Sequence, residues 1–177
     1  DRCQGSDEPF IFFDFLEGVA EKDLKEADKV IGIFEHFEKG QNGILTKNDN
    51  FLYSFLKKKV KLAQTIFEKA DKEKPLTRDA EEYAFNMMKS VVSKLDYPNN
   101  WDVFTETVSL IKNLLVSERQ NGYGLGLLKE GLENSSIRAS IFERDVFKTA
   151  FNNPKTKAEA FDLLEFKDYE LADFRLT

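Results

Sequence analysis

The chain has 177 residues, with 26 basic and 32 acidic side chains, a net charge of −6 and 17 phenylalanines. That length suits one domain whose core needs no disulfide or metal to hold it. The acidic balance argues against a general nucleic-acid binder, because phosphate binding needs a basic surface. Cys3 is the only cysteine, which excludes an internal disulfide and leaves a link between two chains as its one pairing.

The chain opens Asp1-Arg2-Cys3 without Met, which reads as the trace of a removed leader or tag, and residues 1–8 are expected to be flexible. Pro9 suits the first turn of a helix running to about Val19. Phe10, Phe12, Phe13, Phe15 and Leu16, with Ile11 and Val19, wrap nearly all round that helix. A helix apolar on every side is buried centrally, covers a cavity or meets a partner. These residues therefore form the candidate ligand or partner surface. The run Phe10-Ile11-Phe12-Phe13 is cut by Asp14, far short of the roughly 20 apolar residues of a membrane span, so no transmembrane segment is expected.

A second helix, about 22–39, carries Leu24, Ala27, Ile31, Phe34 and Phe37 at helical spacing and stops at Gly40 and Asn42-Gly43. His36, the only histidine, falls at the edge of its apolar stripe. The segment from Glu38 to Asp49 resembles the calcium loop of an EF-hand, with Gly43 sixth, Leu45 eighth and Asp49 twelfth. It departs where coordination matters: Glu38 replaces the first Asp, Gly40 offers no side-chain oxygen, and Asp49 is shorter than the usual bidentate Glu. A helix end and then a helix start, with no metal, is the expected reading.

A third helix, about 47–72, is capped by Thr46 and lined by Phe51, Leu52, Phe55, Leu56, Ala63, Ile66, Phe67 and Ala70. Lys57, Lys58, Lys59 and Lys61 cluster on it; successive residues point around a helix, so they are expected to mark a solvated side. A fourth, about 78–96, starts at Thr77 and should bury Ala80, Tyr83, Ala84, Met87, Val91 and Leu95. A fifth, about 100–119, carries Trp101, Phe104, Val108, Ile111, Leu114 and Leu115 and should stop at Asn121-Gly122.

The glycines at 122, 124, 126 and 131 support only a short helix near 125–133, with Gly122-Tyr123-Gly124-Leu125-Gly126 a turn. Asn134-Ser135-Ser136 matches the N-glycosylation acceptor pattern in a predicted loop. A helix over about 137–152 holds Ile141, Phe142, Val146 and Phe147, and Thr156 with Glu159 reads as a capping box opening the last one. Beyond Glu165, apolar and acidic residues alternate through Phe166, Tyr169, Leu171, Phe174 and Leu176, which fits either a helix or an extended tail.

All four prolines, Pro9, Pro75, Pro98 and Pro154, fall at helix edges, and no stretch alternates with the two-residue period of a strand. The expected fold is all-α: one domain, residues 1–177, built as an antiparallel bundle of six to seven amphipathic helices. Ile33-Phe34-Glu35, Ile66-Phe67-Glu68 and Ile141-Phe142-Glu143 each precede a break and a new helix start. Degenerate helical-hairpin repeats would produce this pattern, although any helical protein repeats an amphipathic end, a turn and a cap.

One histidine and one cysteine leave no Cys–His pair and no histidine-rich zinc site. No phosphate loop or glycine-flanked serine elbow occurs, so no catalytic residue, cofactor or metal is expected. The expected function is that of a secreted, non-enzymatic helical protein binding a macromolecular partner. The alternative is a carrier of a fatty acid or other lipid in a Phe-rich cavity. An enzyme ranks last, since only scattered carboxylates remain to catalyse anything.

Overall fold

Apolar residues recurring every three to four positions produce helices through 49–116 close to where that spacing places them. The computed structural model describes Gly18, Lys29, Ile33, residues 49–72, 78–96 and 99–134, Ser136 and residues 141–165. Among these residues there are six helices and no strand: α1 Asp49–Lys72, α2 Arg78–Lys94, α3 Trp101–Val116, α4 Asn121–Glu133, α5 Ile141–Asn152 and α6 Lys157–Glu165. The helices expected over 9–19 and 22–39 lie outside the described residues, save the single helical positions Gly18, Lys29 and Ile33, and so does the tail from Phe166. Contacts divide the chain into two units between Thr107 and Val108, inside α3.

In the first unit α1 and α2 pack on one another. Phe55, Leu56, Ala63, Ile66, Phe67 and Ala70 of α1 are buried, as are Ala80, Ala84, Met88 and Val91 of α2. Burying each large apolar side chain contributes about 1.5–3 kcal/mol against the entropy of ordering it. Two expected core residues are not core. Tyr83 stays 41% exposed and Trp101 47% exposed. Tyr83 sits one position aside from the inner line Ala80, Ala84, Met87, Met88 and Val91, at the margin of the stripe. Trp101, in the first turn of α3, lies over Phe104 with ring centroids 6.0 Å apart.

The second unit holds the rest of α3 with α4, α5 and α6; α4 packs on α5 and α6, and α5 on α6. Ile111, Leu115, Leu127, Leu128, Val146 and Phe147 are fully buried in it. Phe147 stacks on Phe151 at 5.8 Å, and Phe151 meets Phe161 edge-on at 5.1 Å. The expected turn at 122–126 is instead the start of a 13-residue helix. Gly124, Leu128 and Gly131 recur at helical spacing on its buried face, beside Leu125 and Leu132. The helix break falls earlier, at Ser117, whose hydroxyl oxygen accepts the amides of Arg119 (3.4 Å) and Gln120 (3.2 Å). A side chain that offers such bonds competes with helix continuation.

The corner between α5 and α6 corrects another expectation. Thr156 holds the cap position by its backbone, its carbonyl accepting from Ala160 at 2.9 Å. Its hydroxyl forms no capping box: it is buried and donates to the Ala150 carbonyl at 2.7 Å. The cause is Pro154, four residues beyond Ala150, which has no amide to close that helical bond. Thr156→Val is expected to cost about 1–2 kcal/mol by leaving a buried carbonyl unpaired, and Thr156→Ser to retain most of the stability. Urea unfolding monitored by circular dichroism checks both.

Candidate functional site

In the second unit, the end of α3 meets the α5–α6 corner. α3 closes with the Ser117 amide shared between the carbonyls of Asn113 (3.2 Å) and Leu114 (3.1 Å). That leaves the carbonyl of Leu115, a fully buried residue, needing a donor from elsewhere. Asn153 supplies it: its side-chain Nδ2 donates to the Leu115 carbonyl at 2.6 Å, across 38 residues of chain. The same side chain accepts the Lys155 amide on Oδ1 at 3.0 Å, and the Asn153 carbonyl accepts the amides of Thr156 (3.1 Å) and Lys157 (3.0 Å). One residue thus satisfies a helix end, shapes the corner and launches α6.

Beside this corner opens a groove of about 600 Å³ lined by Val116, Glu118, Thr149, Asn152, Asn153, Pro154 and Lys155. Val116 is 60% exposed, so the branched aliphatic side chain at this helix end is left in water. The Lys155 Nζ lies 3.9 Å from Glu118 Oε1, and both side chains are more than half exposed. Such a pair is worth little in water and parts readily. The Thr149 hydroxyl is turned away, donating to the Asp145 carbonyl at 3.0 Å. The groove therefore offers an apolar patch, one cation, one anion and side-chain amides. These can hold a chain segment but are not arranged as nucleophile, base and orienting group.

The first unit carries a separate polar strip. The Tyr53 hydroxyl donates to Asp102 Oδ2 at 3.0 Å, and Lys57 Nζ lies 3.9 Å from Asp102 and 3.6 Å from Glu106. Burial first, then the bond to Asp102 and the negative charges of Asp102 and Glu106, hold the Tyr53 phenol above its ordinary value of 10.0. The folded state therefore grips this proton more tightly than the unfolded state. Its contribution is complete below that ordinary value and is lost as pH rises through the raised one. Tyr53→Phe is expected to flatten the fall in stability above about pH 10, read from urea midpoints across the alkaline range.

Among the described residues, two buried oxygens close by, Glu106 Oε2 and Thr107 Oγ1, have no hydrogen-bond partner. Thr107 is fully buried. Thr107→Val, which replaces the unpaired hydroxyl by a methyl of the same shape, is expected to stabilise by about 0.5–1.5 kcal/mol in the same unfolding assay.

The lysine cluster does diverge around α1, but not as one solvated side. Lys61 is exposed and Lys57 half-buried, whereas Lys59 is only 3% exposed, its Nζ 5.0 Å from the Phe55 ring centroid. Position 59 falls beside Phe55 and Ala63 on the inner face, so its stem is buried with them and the ring meets its charge. Burial, with the charge of Lys61 adding, pulls the Lys58 amine below its ordinary value.

Phe10, Phe12, Phe13, Phe15 and Leu16, together with Cys3 and His36, lie outside the described residues, as does the EF-hand-like loop before Asp49. Asn134 is described, at the C-terminal end of α4. Among the described residues no group of three or more His, Cys, Asp or Glu side chains is placed to hold a metal, and no helix is long and apolar enough to cross a membrane. Sequence reasoning misses the groove, since neither the apolar spacing nor any motif singles out Val116 or Asn153. No family model, curated protein or solved structure matches the chain.

Proposed function

We propose that this is a secreted, non-enzymatic helical protein that acts by binding a macromolecular partner, and that the groove beside Val116 is one contact surface. The observation that carries the reading is the combination of an exposed apolar residue with a wall already held in shape by Asn153. A surface ordered before binding loses less freedom on association than a loose one. An apolar centre with charged residues at its edge, Glu118 and Lys155, is the usual anatomy of a protein contact. The scaffold is taken as an antiparallel bundle of six to seven helices derived from helical hairpins. The packing of α1 on α2, and of α5 on α6, each a pair of sequence neighbours, supports that view.

The test is quantitative capture from an extract of the protein's own source, with chemical cross-linking to fix the partner. Wild type should recover one protein in constant stoichiometry, and Val116→Glu should recover at least tenfold less while keeping its helical spectrum and unfolding midpoint. Equal recovery by the variant removes the groove from the reading. A native mass spectrum of the source protein that carries a lipid and no protein partner replaces it with an apolar-ligand carrier.

A further inference from the structure

We propose that Asn134 is an N-glycan acceptor, carrying its oligosaccharide at the C-terminal end of α4. Asn134-Ser135-Ser136 is the only Asn-x-Ser/Thr tripeptide in the chain, so no other asparagine competes for the modification. The buried residues of α4 end at Leu132, and Glu133 is exposed. Asn134 then leaves the helix with φ −84° and ψ 105°, while its amide still bonds to the Gly131 carbonyl at 3.3 Å. Its side-chain Oδ1 accepts the Ser136 amide at 3.0 Å, and Ser136 is exposed.

This bond closes an Asx turn, a local preference of asparagine that needs no tertiary support and is open to the chain before it folds. Glycan transfer acts at that stage, on an accessible acceptor whose hydroxyl residue lies two positions on. The turn folds the Asn134 side chain back toward Ser136, bringing the two ends of the acceptor tripeptide together. Once folded, Asn134 is half-buried just past the last buried position of its helix, between exposed Glu133 and exposed Ser136, so a large polar substituent there has a short path to water.

In the transfer, the Asn134 carboxamide nitrogen attacks C1 of the first N-acetylglucosamine of a lipid-diphosphate-linked oligosaccharide. The C1–N bond forms and the C1–O bond to phosphate breaks. The lipid diphosphate departs with the electron pair, and one amide proton passes to a base of the transferase.

The inference rests on the secreted part of the reading above and is independent of any partner. The full chain is expressed behind a signal peptide in a eukaryotic secretory host, alongside Asn134→Gln, Ser136→Ala and Ser136→Thr. Chain recovered from the secretory route is analysed by intact mass and peptide mapping, before and after peptide N-glycosidase. Wild type and Ser136→Thr should carry a glycan whose enzymatic release leaves aspartate in place of the asparagine. Asn134→Gln and Ser136→Ala should carry none, and all four should keep the same helical spectrum. A recovered wild-type chain without glycan, or a glycan that survives Asn134→Gln, overturns the assignment. Because the signal peptide supplies entry to the compartment, that failure leaves the partner reading standing, and loss of partner capture leaves the glycan assignment standing.

Discussion

Gly124→Val is expected to destabilise the second unit by about 3 kcal/mol, the upper range for forcing bulk into a packed contact. A Cβ placed on Gly124 would lie 2.8 Å from the Leu115 backbone nitrogen, 2.9 Å from its Cγ and 3.1 Å from its Cα. A flexible side-chain end could swing aside, but a backbone nitrogen inside a helix moves only with the helix. Even Gly124→Ala should lose about 1–3 kcal/mol to that clash, more than the roughly 1 kcal/mol that alanine gains over glycine in a helix. Gly122 provides the opposite case two residues earlier, since nothing lies within 4 Å of its added Cβ. Gly122→Ala is expected to be neutral or to stabilise by up to about 1 kcal/mol. Urea unfolding of the three variants decides the matter: equal midpoints for Gly124→Val and wild type would show that α4 does not approach α3 this closely.

Asn153→Ala should cost about 2–3 kcal/mol, because it removes two hydrogen bonds and strands the carbonyl of Leu115 away from water. The loss exceeds that of an ordinary turn residue, since the two bonds serve different elements: Nδ2 the end of α3, Oδ1 the corner before α6. Asn153→Asp keeps the acceptor for the Lys155 amide but sets a carboxylate against the Leu115 carbonyl. It should therefore be at least as unstable as the alanine variant. Hydrogen exchange separates a local role from a global one. The amides of Lys155, Thr156 and Lys157 should exchange faster in Asn153→Ala under conditions where those of α1 and α2 are unchanged. Unaltered exchange at the corner would show that Asn153 does not hold it.

How much of the fold is legible in the sequence depends on how local each cause is. α1, α2 and α3 arise from long apolar periods between prolines and caps, and their ends agree with expectation to within three residues. The first turn of α4 does not show, because a glycine counts against a helix until its neighbour is known. The reason for Gly124 is the backbone of Leu115, nine positions back and across a turn. Thr156 reads as a cap for the helix after it, whereas its hydroxyl serves the helix behind. Here the clue is present: a proline four residues after Ala150 announces a carbonyl in need of another donor. The groove is invisible for a plainer reason, since Asn153 and Leu115 are brought together only by folding. Lys59, in a run of like charges, conceals the one position among them whose helical phase points inward.

The missing amide at Pro154 also disfavours a conformation. With no hydrogen to offer there and a ring that clashes with the preceding turn, joining α5 and α6 as a single straight rod would cost about 3 kcal/mol. The asparagine before a proline is itself turned away from helical geometry. Alcohol cosolvents that lengthen helices elsewhere should therefore leave this bend where it is, a hinge pin supplied by covalent structure rather than by packing.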